Sequence, residues 1–199
     1  MRRTVISGLL PFVFYLSVGQ TLSPDLWHAG KVVLDSGDTL QGLVKYDPHD
    51  LLQVKHQNQL ESFSPKKVTA FEIFDQSCKQ KRIFYSLPYA LGGDYKSPVF
   101  FEVMSQGRIT LLAREAISVT TISTAHIGYP PRRRRVVEIK YFLLKENGEI
   151  EPFHATRDSW LELTSSKMAQ VQIFVTTHKL DLDEKYDIKR IIDYYNSLY

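Results

Sequence analysis

A run of four arginines, Arg132, Arg133, Arg134 and Arg135, is the strongest chemical feature of the sequence. Guanidinium groups bind phosphate and carboxylate oxygens through paired hydrogen bonds, so this arginine run is a candidate contact for an anionic partner. Two prolines precede it and favour extended backbone, which predicts that the arginines are displayed rather than buried. Two alternatives stay open, a cleavage site for a trypsin-like protease and a solvated loop without a partner.

The six histidines form no motif with metal-binding spacing, such as two histidines one helical turn apart. The best metal-binding combination is His49 and His56 with Asp47 and Asp50, but ordinary turn chemistry explains the same residues. A pocket that held His56 or His154 beside a carboxylate would indicate an enzyme. The sequence by itself predicts no metal site.

Other catalytic and cofactor motifs are missing from the sequence. It contains no nucleophile elbow and no glycine-rich phosphate loop before a helix. Asp181, Asp183, Glu184 and Asp187 resemble part of a calcium loop without its glycine, and Asp183 is predicted to be the N-cap of the last helix instead. We therefore expect no catalytic residues and no cofactor, and an unrecognised hydrolase is only the third functional alternative.

The single cysteine, Cys78, excludes an internal disulfide. It lies in a polar stretch, which predicts an exposed thiol in a turn. An intermolecular disulfide or a nucleophilic thiol is the alternative, although no histidine is close in sequence.

The N-terminus has the three parts of a secretory signal peptide. Arg2 and Arg3 precede an uncharged apolar run over residues 5–18, and Ser17 and Gly19 place small side chains where signal peptidase needs them. The run is shorter than the about 20 residues of a spanning helix, which favours cleavage after Gly19 over a membrane anchor. We expect an exported protein, periplasmic, associated with the outer membrane or secreted, without a transmembrane span after cleavage.

Composition predicts an ordered globular protein, because apolar residues make up 43% of the chain and it has 11 tyrosines and 11 phenylalanines. Beyond Gly19 the charge is nearly balanced, with 23 basic and 22 acidic residues. No basic face remains outside the arginine run, so nucleic acid is not an expected partner. Another envelope protein or an anionic surface fits better.

Alternating apolar and polar residues predict strand after strand from Gly30 to Phe153. Gly37 and Asn147-Gly148 indicate hairpin turns, the latter of type I′. The segment from Glu115 to Arg135 is rich in Ser, Thr, Pro and Arg and is predicted to be a long excursion between strands. The predicted strands cover residues 31–34, 39–46, 51–55, 60–63, 69–74, 82–87, 99–104, 108–114, 136–144 and 150–153.

After His154 the apolar period becomes helical, which predicts helices over residues 157–163 and 167–178 and another from Asp183. Ile188, Ile191, Ile192 and Tyr195 form the predicted buried face of the last helix. The fold class is α+β, a mainly antiparallel curled sheet, barrel- or sandwich-like, followed by two or three C-terminal helices. The predicted organisation is a signal peptide over 1–19, a β-rich domain over 20–154 and a helical segment over 155–199 that packs on the sheet.

Residues 30–47 resemble the first motif of Sm-like proteins, with Gly37 in the turn, Gly42 in the second strand and Asp47 after it. The resemblance implies an SH3-like curled hairpin. It does not imply RNA binding, because the Asn after that Asp and the later Arg-Gly pair of the family are missing. The whole layout is similar to uncharacterised exported β-rich proteins of gram-negative bacteria, which end in a helix with a stretch like Tyr194-Tyr195-Asn196.

Together these features predict an exported non-enzymatic protein, a protein-interaction or envelope structural module that uses a sheet edge or the arginine run. The alternative is a binder of a small apolar or amphipathic ligand within the curled sheet. The residues predicted to line such a cavity are Leu40, Val44, Phe101, Val103 and Leu111.

Overall fold

Ten antiparallel strands and three C-terminal helices make up the fold, which confirms the predicted α+β class. The computed structural model describes residues 26–122 and 132–199, and for residues 121, 122 and 132–135 the backbone alone. The predicted signal peptide lies outside the described residues. The strands are β1 His28–Leu34, β2 Thr39–Asp47, β3 Leu51–His56, β4 Gln59–Phe63, β5 Val68–Asp75, β6 Gln80–Tyr89, β7 Ser97–Ser105, β8 Thr110–Ile122, β9 Arg132–Leu144 and β10 Ile150–Phe153, and the helices are α1 Arg157–Leu163, α2 Met168–His178 and α3 Lys185–Ser197.

The strands form one sheet in the order β10-β9-β8-β7-β6-β5-β1-β2-β3-β4. Neighbours in the sheet are neighbours in the chain except at β1 and β5, because a short 3-10 turn over Pro65–Lys67 leads the chain from β4 back to β1. The sheet curls without closing. Its two edge strands are β4 and β10.

Two glycines allow the sheet to curl at β1 and β2. Gly30 and Gly42 are directly paired across the two strands. A Cβ at Gly30 would lie 2.4 Å from the carbonyl oxygen of Glu72, and one at Gly42 would lie 2.2 Å from that of Lys55. Both distances are far below van der Waals contact, so these positions accept no side chain without movement of the neighbouring strand.

Buried charged residues separate two apolar cores along one face of the sheet. On β7, Phe100 packs in the core of the curled strands and Met104 packs in the core under the helices, while Glu102 between them is buried among charges. The first core holds Val32, Val44, Tyr46, Leu52, Val54, Val68, Phe71, Ile73, Phe84 and Phe100, and the second holds Met104, Ile109, Leu111, Ala113, Tyr141, Trp160, Val171, Leu180, Ile188, Ile191, Ile192 and Tyr195.

The C-terminal helices pack on part of one face of the sheet. The ring of Trp160 in α1 packs edge-on against Tyr141 of β9, and the four residues predicted to be the buried face of α3 are all buried. On the other face, Phe101 and Phe142 belong to a third cluster that contains no helix residue. The five residues predicted to line one cavity are divided among all three clusters.

Two local predictions were wrong. At Asn147-Gly148 only Gly148 has a positive φ, so the turn is a three-residue loop and not type I′; the turn with two positive φ angles is Gln57-Asn58, between β3 and β4. At the start of α3 the N-cap is Glu184 rather than Asp183. The backbone N–H of Asp183 instead donates to the side chain of Asp181 in the preceding turn.

Candidate interaction arm

A two-stranded ribbon extends β8 and β9 beyond the rest of the sheet. Pairing of β7 with β8 stops at Ala113, and pairing of β10 with β9 stops at Tyr141. Residues 114–122 and 132–140 nevertheless pair with each other in unbroken register. We call these two segments the arm; nine residues of strand reach about 30 Å.

The arginine run is the first part of β9 and therefore belongs to the arm. Arg135 pairs with Val119 and Arg132 with Ile122. The prediction of a long excursion between strands from Glu115 to Arg135 was wrong for residues 115–122 and 132–135, because these residues pair as strands. Ser and Thr are compatible with an exposed ribbon, in which neither face needs the apolar residues that marked the other strands.

An isolated two-stranded ribbon is only marginally stable in water, so its attachment to the sheet matters. The first two residues past the last β7 pair are Arg114 and Glu115, and both are buried. Successive residues of a strand point to opposite faces of the sheet, so these two side chains anchor the arm on both faces. We call Arg114 and Glu115 the root of the arm.

On one face, Arg114 forms a two-pronged ion pair with Asp50 from the turn between β2 and β3. Its Nη1 and Nη2 donate to Oδ1 and Oδ2 of Asp50 at 2.8 and 2.6 Å. Asp50 Oδ1 also accepts the backbone N–H of Phe100 at 3.3 Å, and Arg114 Nη1 donates to the Phe100 carbonyl at 3.2 Å. The pair thus replaces the backbone hydrogen bonds that Phe100 would otherwise make to β8. Burial lowers the pKa of Arg114, but its hydrogen bonds to Asp50 outweigh burial and raise it.

On the other face, Glu115 accepts a hydrogen bond of 2.8 Å from Arg82 Nη2. Arg82 also binds Glu102 through Nε and Nη2 at 3.0 and 2.6 Å and Asp75 through Nη1 at 3.3 Å. All four side chains are buried. One guanidinium therefore ties together β5, β6, β7 and the root of the arm.

A buried lysine extends this cluster to α3. Lys185 Nζ donates to Glu102 Oε2 at 2.6 Å, and the residue has no solvent exposure. Burial opposes ionisation of Glu102, yet the positive charges of Lys185 and Arg82 hold its pKa below the ordinary value. Burial also lowers the pKa of Lys185, against the attraction of Glu102. Removing one member of such a cluster leaves its partners buried without compensation, which is strongly destabilising.

A cavity of about 450 Å³ lies beside the root, where β10 ends. Its aromatic and apolar walls come from β6, β9 and β10, and Arg114 and Lys140 supply positive charge. Its lining residues are Tyr89, Leu91, Arg114, Ala116, Ile139, Lys140, Tyr141, Phe142, Pro152, Phe153, His154 and Ala155. The volume is within the range of pockets that bind small molecules or large side chains, about 300–1,000 Å³.

The structure separates the candidate metal ligands. His49 Nδ1 bonds Asp47 Oδ1 at 2.7 Å on the surface, Asp50 binds Arg114, and His56 Nδ1 bonds the carbonyl of Gln41 at 3.0 Å. Across residues 26–122 and 132–199, no three His, Cys, Asp or Glu side chains are placed to share a metal ion.

His154 lines the root cavity, but no described carboxylate lines it with His154. The arrangement that would have indicated an acid–base enzyme is therefore not formed by the described side chains there.

Cys78 is half-buried rather than fully exposed. Its Sγ lies 3.1 Å from the hydroxyl of Tyr186, and burial raises the pKa of that tyrosine. The thiol therefore contacts α3, which its position in sequence did not predict.

Sequence reasoning missed the buried charges, although a signal for them exists. Arg82 is two residues before the buried Phe84, and Glu102 lies midway between Phe100 and Met104, so both are in phase with an apolar face. A charged residue at an inward position of a strand requires a buried partner. The identity of that partner depends on the order of the strands in the sheet, which the apolar alternation of the sequence does not specify.

Comparisons with protein-family models, with curated proteins and with solved structures found no match. None of the described helices has the length and hydrophobicity needed to cross a membrane.

Proposed function

We propose that the chain is an exported, non-enzymatic binding module and that its arm contacts an acidic partner protein. One observation carries the proposal: the arm extends past both neighbouring strands, while its root is fixed by buried ion pairs on both faces. A binding surface that is ordered before contact loses less conformational entropy on binding. Open strand edges are usually shortened or covered in monomeric proteins, so a long open ribbon favours a partner.

The charge of the arm supports an acidic partner. Residues 132–140 carry five basic side chains and one acidic one. Basic surfaces attract acidic partners over distance and increase the rate of encounter.

The use of ionisable groups supports the non-enzymatic part of the proposal. Three of the buried ones, Arg82, Glu102 and Lys185, are joined through Glu102 between the sheet and α3. Groups engaged in this way connect elements of the fold and have no access to a substrate. Export is supported by the N-terminal charge and hydrophobicity pattern.

Cross-linking in cells followed by purification of the tagged chain tests the proposal. The test variant changes the four arginines of the run to Ser, and the control changes Lys31, Lys66, Lys79 and Lys96, all exposed and outside the arm, to Ser. Both remove the same charge. We expect a partner near one-to-one with the wild type and the control, and its loss from the test variant. Equal recovery with both variants would contradict a contact through the arm, and intact mass on the same sample tests cleavage after Gly19.

The root cavity favours a second function, binding of a small amphipathic anion. Aromatic side chains such as Phe142 and Phe153 line it, and Lys140 would face an anionic head group, since Arg114 already binds Asp50. A dye that fluoresces in apolar cavities and is displaced by fatty acids would support this function. A dye signal that is unchanged when Phe142 becomes Ala would contradict it.

A further inference from the structure

The open edge of β9 has a defined hydrogen-bonding pattern. The backbone N–H of Lys145 donates to the carbonyl of Glu149 at 2.8 Å, and the β9–β10 register continues from this pair without a shift to Tyr141 and Phe153. In antiparallel sheets, hydrogen-bonded and non-hydrogen-bonded pairs alternate. The odd-numbered residues of β9 therefore direct their N–H and C=O groups towards β10, and the even-numbered residues direct theirs towards β8.

Past Tyr141 these outward groups have no strand partner among the described residues, because β10 ends at Phe153. The chain leaves the sheet there for a local reason. Phe153 packs on Trp160 at a centroid distance of 4.5 Å, and the Thr156 side chain caps α1 by accepting the N–H of Ser159. Ile139 and Val137 thus present backbone donors and acceptors to a strand position that none of the described residues fills.

The root cavity lies at this strand position. Ile139 and Lys140 form its wall on the β9 side, and Pro152, Phe153 and His154 form its wall at the end of β10. A strand added beside Ile139 would therefore place a side chain at the cavity mouth. The aromatic walls suit an apolar or aromatic side chain, and the net positive charge of residues 132–140 suits acidic residues on either side of it.

We propose that the partner binds by strand addition: an extended acidic segment pairs with β9 at Val137 and Ile139 and inserts one apolar or aromatic side chain into the root cavity. The proposal rests on the proposed function, since it names how the arm holds its partner. Main-chain hydrogen bonds supply affinity in this mode, and the cavity and the basic residues supply selectivity.

The test uses the purified full chain and a fluorescent synthetic peptide in which Glu alternates with Thr around one central Phe. Val137→Pro removes an outward N–H donor from β9. Val119→Pro is the matched control, because the N–H of Val119 faces the opposite edge of the arm by the same register. Proline is tolerated where the strand N–H faces solvent, and equal thermal midpoints of the two variants verify folding.

Strand addition predicts that Val137→Pro weakens peptide binding about tenfold or more, since it removes a hydrogen bond and obstructs the added strand. Val119→Pro should leave the affinity for the peptide within about twofold of the wild-type value, a smaller change than the loss of one main-chain hydrogen bond would cause. Amide exchange at Val137 and Ile139 should slow when the peptide binds, and exchange at Ile117 and Val119 should not. A peptide in which Lys replaces Glu should bind far more weakly.

Three results would overturn the proposal and differ in what they say about the proposed function. Binding that survives Val137→Pro but is lost when the four arginines become Ser leaves the arm as the contact and excludes strand addition. Binding lost with Val119→Pro alone places the partner on β8. No binding of the peptide, together with a dimer that Val137→Pro dissociates, identifies a second copy of this chain as the occupant.

Discussion

Replacing Asp50 by Asn should weaken the attachment of the arm and lower the stability of the whole chain. Asn retains the shape of the side chain and tolerates the positive φ of 64° at this position. It has one oxygen, whereas the Asp50 carboxylate serves Arg114 with both oxygens and the Phe100 N–H with one. If the amide oxygen still accepts the Phe100 N–H, the amide NH2 group faces Arg114, and two hydrogen-bond donors then meet without an acceptor between them.

The expected loss can be bounded from the burial of the pair. Removing one partner of a fully buried ion pair costs about 3–5 kcal/mol. The side chains of Arg114 and Asp50 are 8% and 14% exposed, so we expect a smaller loss, about 2–3 kcal/mol. With a urea m-value of about 2 kcal/mol/M, the unfolding midpoint should fall by about 1–1.5 M.

Urea unfolding followed by circular dichroism measures this change, with Asp47→Asn as the matched control. Asp47 lies in the same turn, but its partner is the exposed His49, and such surface pairs contribute about 0–1 kcal/mol. Amide exchange adds a local measurement: Ala116 and Ser118, whose N–H groups face β9, should lose protection in Asp50→Asn. Equal midpoints for the two variants would refute the idea that the pair fixes the arm.

Three further predictions concern the buried charges and the curl of the sheet. Glu102→Gln should lower the free energy of unfolding by about 3 kcal/mol, because it leaves the buried cations Arg82 and Lys185 uncompensated. Glu72→Gln, which breaks an exposed pair, should change it by less than about 1 kcal/mol. Urea unfolding measures both free energies, and similar losses would contradict the burial argument. Folding lowers the pKa values of Glu102 and Asp75, so both carboxylates stabilise the fold at pH values above their ordinary pKa. That stabilisation is lost as the pH falls below the ordinary pKa towards the lowered one. The thermal midpoint of the wild type should therefore fall over this pH range, and the midpoint of Glu102→Gln should fall less steeply. Gly42→Ala should destabilise by about 1–3 kcal/mol because its Cβ meets a backbone carbonyl of β3, and Gly92→Ala, with open space around it, should be close to neutral in thermal unfolding.

Most of the regular structure could be predicted because its signal is local. The hairpin strand Ile150–Phe153 and the helix Arg157–Leu163 have the predicted bounds, and in the structure the Thr156 side chain caps the helix. Each depends on neighbouring residues in the chain. The order of the sheet between β5 and β1 needs pairing across distant segments, which no local pattern specifies.

Residues 136–140 of the arm were predicted to be strand, whereas residues 115–122 and 132–135 were not, and the arginine run was expected to be displayed. In the missed residues the apolar alternation is weak because the ribbon has no core face to bury, and the arginine run resembles a solvated loop. The root was missed for a different reason. Asp50 and Arg114 are 64 residues apart in sequence, and only the curl of the sheet brings the β2–β3 turn to β8.

Site-specific photo-cross-linking in cells shows whether the partner contacts the arm. A photoreactive residue at Glu138 in the arm is compared with one at Glu61 on the β4 edge, since both positions are exposed glutamates. A contact through the arm gives one discrete adduct from Glu138, lost when the four arginines become Ser, and none from Glu61. A discrete adduct from Glu61 with none from Glu138 would show that the partner binds the β4 edge instead.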